Sequence, residues 1–381
     1  MKSNYKALGK YIQKIEHRNR DLKVTRLFGL SMTKEFRETT SNIVGTDMSV
    51  YKVMSKYQFA CDFMSPIRVN KLPVVLKLDD EPNLVSPAYP VFEIKNRDEL
   101  DPKYLMMWFR RPEFDRYVTF KCDAAIRGGY GWEELCETLI PIPHITKQRE
   151  IVKEYNVIQN RIDLNQQLIQ KLEETAQAIY KQWFVEGVDI DCAKIQLNEL
   201  VQTQYGYTET ASSEIIGPKF LRITDIAQNH INWANVPYCK ISKNDFEKYK
   251  LKSGDIVVAR TGATAGYAQR LHKYIPDCVF ASFLVRLIPN ELKWNLFLGL
   301  TVDSQIYRDF ILSNAEGSAQ PQANAALLTS FEINKPNESK ILEFNRIIEP
   351  FFDLIENRHL ENQKLSELKD LLLSKLATVE E

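Results

Sequence analysis

The chain of 381 residues lacks most of what would mark a metal centre, a disulfide scaffold or an enzyme. Its six cysteines (Cys61, Cys122, Cys136, Cys192, Cys239, Cys278) never fall at C-x-x-C spacing, and its five histidines are equally scattered. A structural zinc site needs clustered ligands, so no metal is expected, and no disulfide framework either. There is no run of about 18 apolar residues to span a bilayer. Met1 to Tyr11 carries three lysines and no apolar stretch, so no signal peptide is visible. The expectation is a soluble cytoplasmic protein with no membrane partner. Catalytic signatures are missing as well: no Asn-Pro-Pro-Tyr-like string, no G-x-S-x-G, no H-E-x-x-H and no acidic-plus-lysine nuclease cluster. Gly262 and Gly266 resemble a phosphate loop, but Tyr267-Ala268 stands where such a loop needs Lys followed by Ser or Thr. Asp79-Asp80-Glu81 runs directly into Pro82-Asn83 and reads as an exposed polar turn. The composition is that of a binder.

Net charge is missing too. Fifty basic and fifty acidic side chains cancel, which argues against a nonspecific polyanion binder. By block, residues 1–143 come to about +4, residues 191–335 to about +1 and the remainder to about −5. Any nucleic-acid affinity would therefore sit in the first and third blocks and need help from a more basic partner.

What the chain does have is a repeat, offset by about 193 residues. Val91-Phe92-Glu93-Ile94-Lys95-Asn96 is echoed by Leu284-Val285-Arg286-Leu287-Ile288-Pro289-Asn290, an apolar strand running into a polar turn. The helical stretch from Tyr104 to Tyr117 is echoed by Phe297 to Phe310, and each is followed by a small-residue loop and a proline, Pro143 or Pro336. Solenoid units run roughly 20 to 50 residues, so a period this long means duplicated domains.

After each block comes a long helix. Ile151, Tyr155, Ile158, Ile162, Asn165, Ile169, Leu172, Ala176, Ile179 and Trp183 alternate spacings of four and three, a heptad seam with no Gly or Pro until Gly187. The second seam, Ile341, Phe344, Ile348, Phe351, Ile355, Asn362, Leu365, Leu372 and Leu376, contains Pro350, which should kink or split the helix. Asn165 and Asn362 sit mid-seam in similar contexts. In an antiparallel pair they could bond to each other near a pseudo-twofold axis and fix the register. The expected coil core is Tyr155, Ile158, Ile162, Asn165, Ile169, Leu172, Ile355, Asn362, Leu365, Leu372 and Leu376.

In the second head, Ser253-Gly254-Asp255 gives a turn before the apolar strand Ile256 to Ala259, which leaves through Arg260-Thr261-Gly262 into a small-residue loop. Phe220 to Ile226 reads as a further short strand. The first head has a weaker counterpart at Tyr57-Gln58-Phe59-Ala60-Cys61, without the Gly-Asp turn.

Three strings in order on this duplicated frame resemble the specificity subunits of type I restriction-modification systems, over essentially the whole chain. They are Ser253 to Thr264, the passage Ile140-Pro141-Ile142-Pro143 with Lys147-Gln148-Arg149-Glu150-Ile151-Val152, and Ala178-Ile179-Tyr180-Lys181-Gln182-Trp183-Phe184. The resemblance implies an α+β, pseudo-twofold chain. Target recognition domains at residues 1–143 and 187–336 would be separated by helices at residues 144–186 and 337–381 that form an antiparallel intramolecular coiled coil. Each domain would read half of a bipartite site in double-stranded DNA. Two methyltransferase subunits would carry S-adenosylmethionine and methylate adenine at N6, and restriction subunits would use ATP and Mg²⁺. This chain would itself be non-catalytic and hold no cofactor.

Base edges are read by side chains with paired donors and acceptors, and other polar groups hold phosphates. The DNA-binding candidates are Arg68, Asn70, Lys71, Arg127 and Tyr130 in the first head, and Arg260, Thr261, Thr264, Ser318, Gln320, Gln322 and Asn324 in the second. A two-headed protein-binding adaptor on a coiled-coil scaffold, with no DNA role, is the alternative from a different class.

Overall fold

The computed structural model describes residues 4–39, 45–124, 130–187, 193–227, 230–315 and 321–379. The chain divides into two compact units, Met1–Leu164 with Asn362–Glu381, and Asn165–Glu361. Each unit therefore holds one head together with one end of each long helix.

In the first unit, short apolar runs form β1 (Ile12–Ile15), β2 (Phe59–Cys61), β3 (Val74–Leu76) and β4 (Val91–Ile94). They make an antiparallel sheet in the order β1-β4-β2-β3. Helices α1 (Pro102–Arg110) and α2 (Pro112–Ala124) follow, with Asp101 capping α1 by accepting from the amides of Lys103 and Tyr104. The strand Tyr5–Ala7 pairs with Leu139–Pro141 and closes the head just before α3 (Ile145–Lys181). Buried Gln148 fastens that junction. Its amide donates to the carbonyls of Glu99 and Pro143, both at 2.8 Å, and its carbonyl accepts from Asp101 N at 2.9 Å.

The second unit repeats the plan. Strands β5 (Val201–Tyr205), β6 (Ile256–Ala259), β7 (Ala268–Arg270) and β8 (Leu284–Pro289) are ordered β5-β8-β6-β7, all antiparallel. Helices α4 (Asn295–Val302), α5 (Gln305–Asn314) and α6 (Ala325–Thr329) follow. Lys194–Gln196 then pairs with Glu332–Asn334 ahead of α7 (Glu338–Lys375). The repeat holds residue by residue: Tyr104 and Phe297, Phe114 and Tyr307, and Val118 and Ile311 are all buried.

The two long helices are antiparallel in both units. Early α3 meets late α7 in the first, where Val152 and Tyr155 share a core with Leu373 and Leu376. Late α3 meets early α7 in the second, where the rings of Phe184 and Phe344 lie 4.9 Å apart. Tyr155, Ile158, Ile162, Asn165, Ile169, Ile355 and Leu376 are buried as expected, while Leu172, Asn362 and Leu365 are half-buried. At its ends the seam shifts by one residue. Val152, Tyr180, Phe184 and Leu373 are buried, and Ile151, Ile179, Trp183 and Leu372 are not. A straight helix of 3.6 residues per turn drifts from a heptad repeat by about 20° per heptad, and these ends turn into the heads.

Three further expectations are corrected. Helix α7 is not split at Pro350, which lies on the exposed face, where the Arg346 carbonyl that loses its donor can turn to water. Phe220 to Ile226 is not one strand: it is the strand Lys219–Leu221 followed by a helical turn, Ile223–Ile226, because Asp225 accepts from the amide and guanidinium of Arg222. The turn thought absent from the first head is also present. Tyr57 adopts φ 68°, as Gly254 adopts φ 83°, and their amides bond Lys77 O at 2.8 Å and Leu271 O at 2.9 Å. Helix α3 ends in a π-helical turn, Gln182–Glu186, closed by Gly187, where a Cβ would collide with the Gln182 carbonyl. Among the described residues no helix is long and apolar enough to cross a membrane.

In the second unit, the segment after β7 is held to α7. Glu356 accepts from Tyr274 N at 2.7 Å, and the imidazoles of His230 and His359 stack at 3.5 Å with His272 at 6.4 Å from His359. Burial pushes His230 and His272 down to about 4 and His359 to about 3, with the neighbouring imidazoles adding to the fall for His272 and His359.

Two outcomes follow. Leu373→Ala should cost about 2–5 kcal/mol in urea unfolding and Leu372→Ala less than about 1 kcal/mol, because only the former opens a cavity. The unfolded state binds protons at these histidines near pH 6.5 and the folded state does not. Stability should therefore be fully present at pH 7 and fall by something on the order of 3 kcal/mol, discounted for partial exposure, as pH drops from about 6.5 toward 4. His359→Gln should flatten that fall in urea titrations at pH 7 and 4.5.

Candidate nucleic-acid interface

The second head's candidates converge where β6 leaves its sheet. The start of β6 is locked: Asp255 accepts from Lys252 N at 2.6 Å, and its carboxylate pairs with Arg286 of β8 at 2.7 Å, both side chains being buried. Arg286 also donates to Gln204 of β5 at 3.3 Å, so one polar chain crosses three strands. The first head has the same lock in different chemistry. Gln58 accepts from Ser55 N at 2.8 Å and donates to Glu93 of β4 at 3.2 Å, and Glu93 accepts from Gln13 of β1 at 3.0 Å.

At the far end of β6, Arg260 is gripped from both sides, its amide bonding Phe283 O at 3.0 Å and its carbonyl accepting from Ala323 N at 2.8 Å. Its guanidinium lies 5.2 Å from the ring centre of Tyr205, and its buried Nε has no hydrogen-bond partner among the described residues. Thr261 bridges Gln322 through the backbone, and Gly262 N bonds Pro321 O at 2.9 Å. Arg260, Thr261, Thr264 and Gln322 are thus brought together. Gly262 adopts φ 71° with open space around it; Gly266, at φ 84°, lets the loop approach Ile311 of α5.

The structure changes the role of several candidates. Thr261 is only 6 % exposed, so its side chain belongs to the packing and not to a reading surface. Thr264 is half-buried, its hydroxyl donating to Thr261 O at 3.3 Å. Asn324 is exposed, but its carbonyl accepts from Leu327 N at 2.8 Å as the cap of α6. Gln322 is exposed. Ser318 and Gln320 lie outside the described residues, as does Arg127. Tyr130 is a correction: it is 3 % exposed, packs on Phe63, shares a 2.9 Å hydrogen bond with Thr138, and burial raises its phenol pKa well above the usual range. Two aromatic residues at this end were not anticipated, Tyr205 at 44 % and Phe283 at 55 % exposure. Tyr205 could have been found as the exposed end of an alternating strand; Phe283 carries no local signal.

In the first head Arg68, Asn70 and Lys71 are exposed around the short helix Pro66–Val69, which Asn70 ends in a left-handed conformation, φ 53°. Asn70 and Lys71 line a pocket of about 720 Å³ with Lys34, Arg110, Asp115 and Arg116. None of these last four was a candidate. Lys34, itself at φ 63°, reaches inward to the Phe109 carbonyl and to Asp115 at 2.7 Å, and burial lowers its pKa against the pull of Asp115. Elsewhere in this head, Asp79, Asp80 and Glu81 each pair with a cation, Lys77, Lys56 and Arg26. Among the described residues no three His, Cys, Asp or Glu side chains could hold a metal ion.

Comparison with known proteins points to one family for the chain's relatives. Residues 192–370 match the family model of the type I restriction modification DNA specificity domain. The chain is 22 % identical over 375 residues to the type I restriction enzyme HindI specificity subunit of Haemophilus influenzae, spanning 77 % of this chain and 80 % of that protein. It is also 22 % identical over 263 residues to the MjaVIII specificity subunit of Methanocaldococcus jannaschii, spanning 63 % of this chain and 61 % of that protein. The crystal structure of a type I restriction-modification system S subunit from M. genitalium superposes with a TM-score of 0.56 at 12 % identity, over 99 % of this chain and 96 % of that one, which supports the fold.

The lock beneath Arg260 yields a quantitative expectation. Arg286→Met leaves Asp255 buried without its cation and should cost about 3–5 kcal/mol, whereas Asp255→Leu with Arg286→Met should be close to neutral. Chemical denaturation of the three proteins at pH 7 checks both values.

Proposed function

We propose, for a chain whose residues 192–370 match the type I restriction modification DNA specificity domain and which resembles a specificity subunit over 77 % of its length, that it selects the DNA sequence for a type I restriction-modification complex. Each head reads one half of a bipartite site in double-stranded DNA. The helix pair between them sets the number of unread base pairs. Two methyltransferase subunits with S-adenosylmethionine modify an adenine at N6 in each half, and restriction subunits using ATP and Mg²⁺ join for cleavage.

The observation that carries this reading is the combination of an identical frame with different strand exits. Both heads have the same sheet order, the same left-handed turn and the same three-strand polar lock. Yet the second head presents Arg260, Tyr205 and Phe283 at the exit of β6, whereas Asp62-Phe63 follows β2 in the first, which in addition carries a cationic pocket at its α1–α2 corner beside Asn70 and Lys71. A guanidinium with an unsatisfied Nε, held beside an exposed aromatic ring, suits a guanine edge or a phosphate. Heads built alike but surfaced differently suit two unlike half-sites. An adaptor for two proteins would share that geometry, so methylation is the deciding readout.

Genome-wide mapping of N6-methyladenine with and without the gene, in cells carrying the partner subunits, should show the loss of a single two-part motif. Replacing residues 1–143 with another head should change one half of that motif, and one added turn in both helices should lengthen only its spacer. Arg260→Ala should relax the half read by the second head, with about 1–3 kcal/mol lost against the preferred base. If methylation is unchanged on deletion while the partner subunits are active, the reading fails.

A further inference from the structure

The pocket between the turn at Lys34, which joins the paired strands Phe28–Leu30 and Phe36–Glu38, the end of α1, the start of α2 and the Asn70-Lys71 corner of the first head carries three cations, Lys71, Arg110 and Arg116, beyond the Lys34 that ties the fold together. At the 193-residue offset, Arg110, Asp115 and Arg116 correspond to Asp303, Arg308 and Asp309, so the second head builds the same two helices with every one of these charges reversed. Four cationic side chains line the pocket against one carboxylate, Asp115. That carboxylate is already committed, accepting from Lys34 Nζ at 2.7 Å and from Leu72 N at 3.1 Å. Among the described residues, Arg116 pairs only with Glu113, at 3.2 Å on the surface, and Arg110 only with Glu35, at 3.9 Å, and the Tyr155 hydroxyl, at 3.4 Å. Lys71 is exposed with no ion pair among the described residues. Exposed pairs of this kind are worth about 0–1 kcal/mol and exchange readily for a better anion.

The walls are preorganised. Lys34 ties its hairpin turn to the α1–α2 junction through the Phe109 carbonyl and Asp115, and Asn70, at φ 53°, closes the Pro66–Val69 turn through its amide to Pro66 O at 2.9 Å. Phe120, 67 % exposed, stands at the rim. Cations that converge on an open pocket with an aromatic face beside them are the pattern that takes a phosphate with its sugar or base attached.

We infer that this pocket of the first head is a phosphate-binding site, occupied by a backbone phosphate of the bound nucleic acid, with Lys71 and Arg116 as its mobile cations and Phe120 against the adjoining nucleoside. The nucleic-acid occupant rests on the proposed function; the affinity for phosphate does not. Such a contact positions the duplex and carries no sequence information.

The test uses the full chain, assembled with its methyltransferase subunits for duplex binding, and the variants Lys71→Ala/Arg116→Ala, Phe120→Ala, and a control with the same loss of charge on α7, Lys364→Ala/Lys375→Ala. Duplex binding is followed across a salt series and inorganic phosphate binding by calorimetry. Each phosphate contact contributes roughly 0.9 to the slope of log K against log salt. The pocket double variant should therefore lose about 2 from that slope, weaken matched and unmatched duplexes equally, and lose its phosphate heat. Phe120→Ala should weaken duplex binding and leave inorganic phosphate binding unchanged. An equal slope loss in the control, or an unchanged slope with no phosphate heat in the wild type, overturns the site. Phosphate binding that depends on Lys71 and Arg116 while the duplex slope is unmoved overturns the nucleic-acid occupant and makes the pocket a small-anion site. If the wild type binds phosphate but no duplex, the proposed function fails while the phosphate site stands.

Discussion

The constraint on which the rest depends is that the ends of the long helices share their cores with the heads. In the second unit, Ala176, Tyr180 and Phe184 of the α3 end region and Ile341, Phe344 and Ile348 of α7 belong to the same buried cluster as Val258, Leu287, Phe297 and Tyr307 of the head. In the first unit, Val152, Tyr155, Leu373 and Leu376 are likewise continuous with Phe59, Phe92, Tyr104 and Phe109. Interiors pack close to crystal density, so a head joined to its helices this way cannot turn on them without opening cavities. A linker would let a reading surface wander, whereas a shared core fixes it to the helix ends.

This coupling explains both what the sequence reveals and what it hides. A heptad seam is legible because in its middle the buried residues, Ile158, Ile162, Asn165 and Ile169, keep the spacing of four, three and four. At the ends each helix faces a sheet and two short helices as well, so the buried set follows the heads and shifts by one residue, from Ile179 to Tyr180 and from Leu372 to Leu373. The string Ala178 to Phe184 supports a family resemblance because its rings, Tyr180 and Phe184, are core residues against Phe297. Gln148 stands out within its own string for a similar reason, since it satisfies three backbone groups where the head meets the helix.

The turn before β2 shows where local reading runs out. A left-handed residue is cheapest as glycine, and Gly254 announces it; Tyr57 adopts the same conformation without any such signal. Its cost is offset by the hairpin bonds on either side and by the Gln58 lock, all of them tertiary and invisible in a short window. The same limit governs the binding candidates. Arg260 and Gln322 could be picked by residue type, but Thr261 and Tyr130 of equally suitable chemistry face inward. Loop composition gives no periodicity from which to tell the two apart. The cations Lys34, Arg110 and Arg116 come from three separate segments and become a site only when α1 and α2 fold beside the hairpin turn.

The two locks make the division between frame and surface explicit. One head crosses its strands with Gln13, Glu93 and Gln58, the other with Gln204, Arg286 and Asp255. Position and connectivity are kept while the charge on the middle strand is inverted. A buried ion pair is weak evidence for stability and has its value in geometry, and the uncharged glutamines of the first head perform the same geometric task. The demand common to both heads is therefore a fixed register at the strand start, so that whatever follows the strand is delivered to the same place. Given that, the residues beyond the strand can change freely, Arg260 beside Tyr205 in one head and Asp62-Phe63 in the other, and a cationic pocket on the α1–α2 corner sets the first head further apart. A frame that keeps its sheet order and its lock while its side-chain chemistry diverges lets one chain carry two unlike surfaces on a single fold.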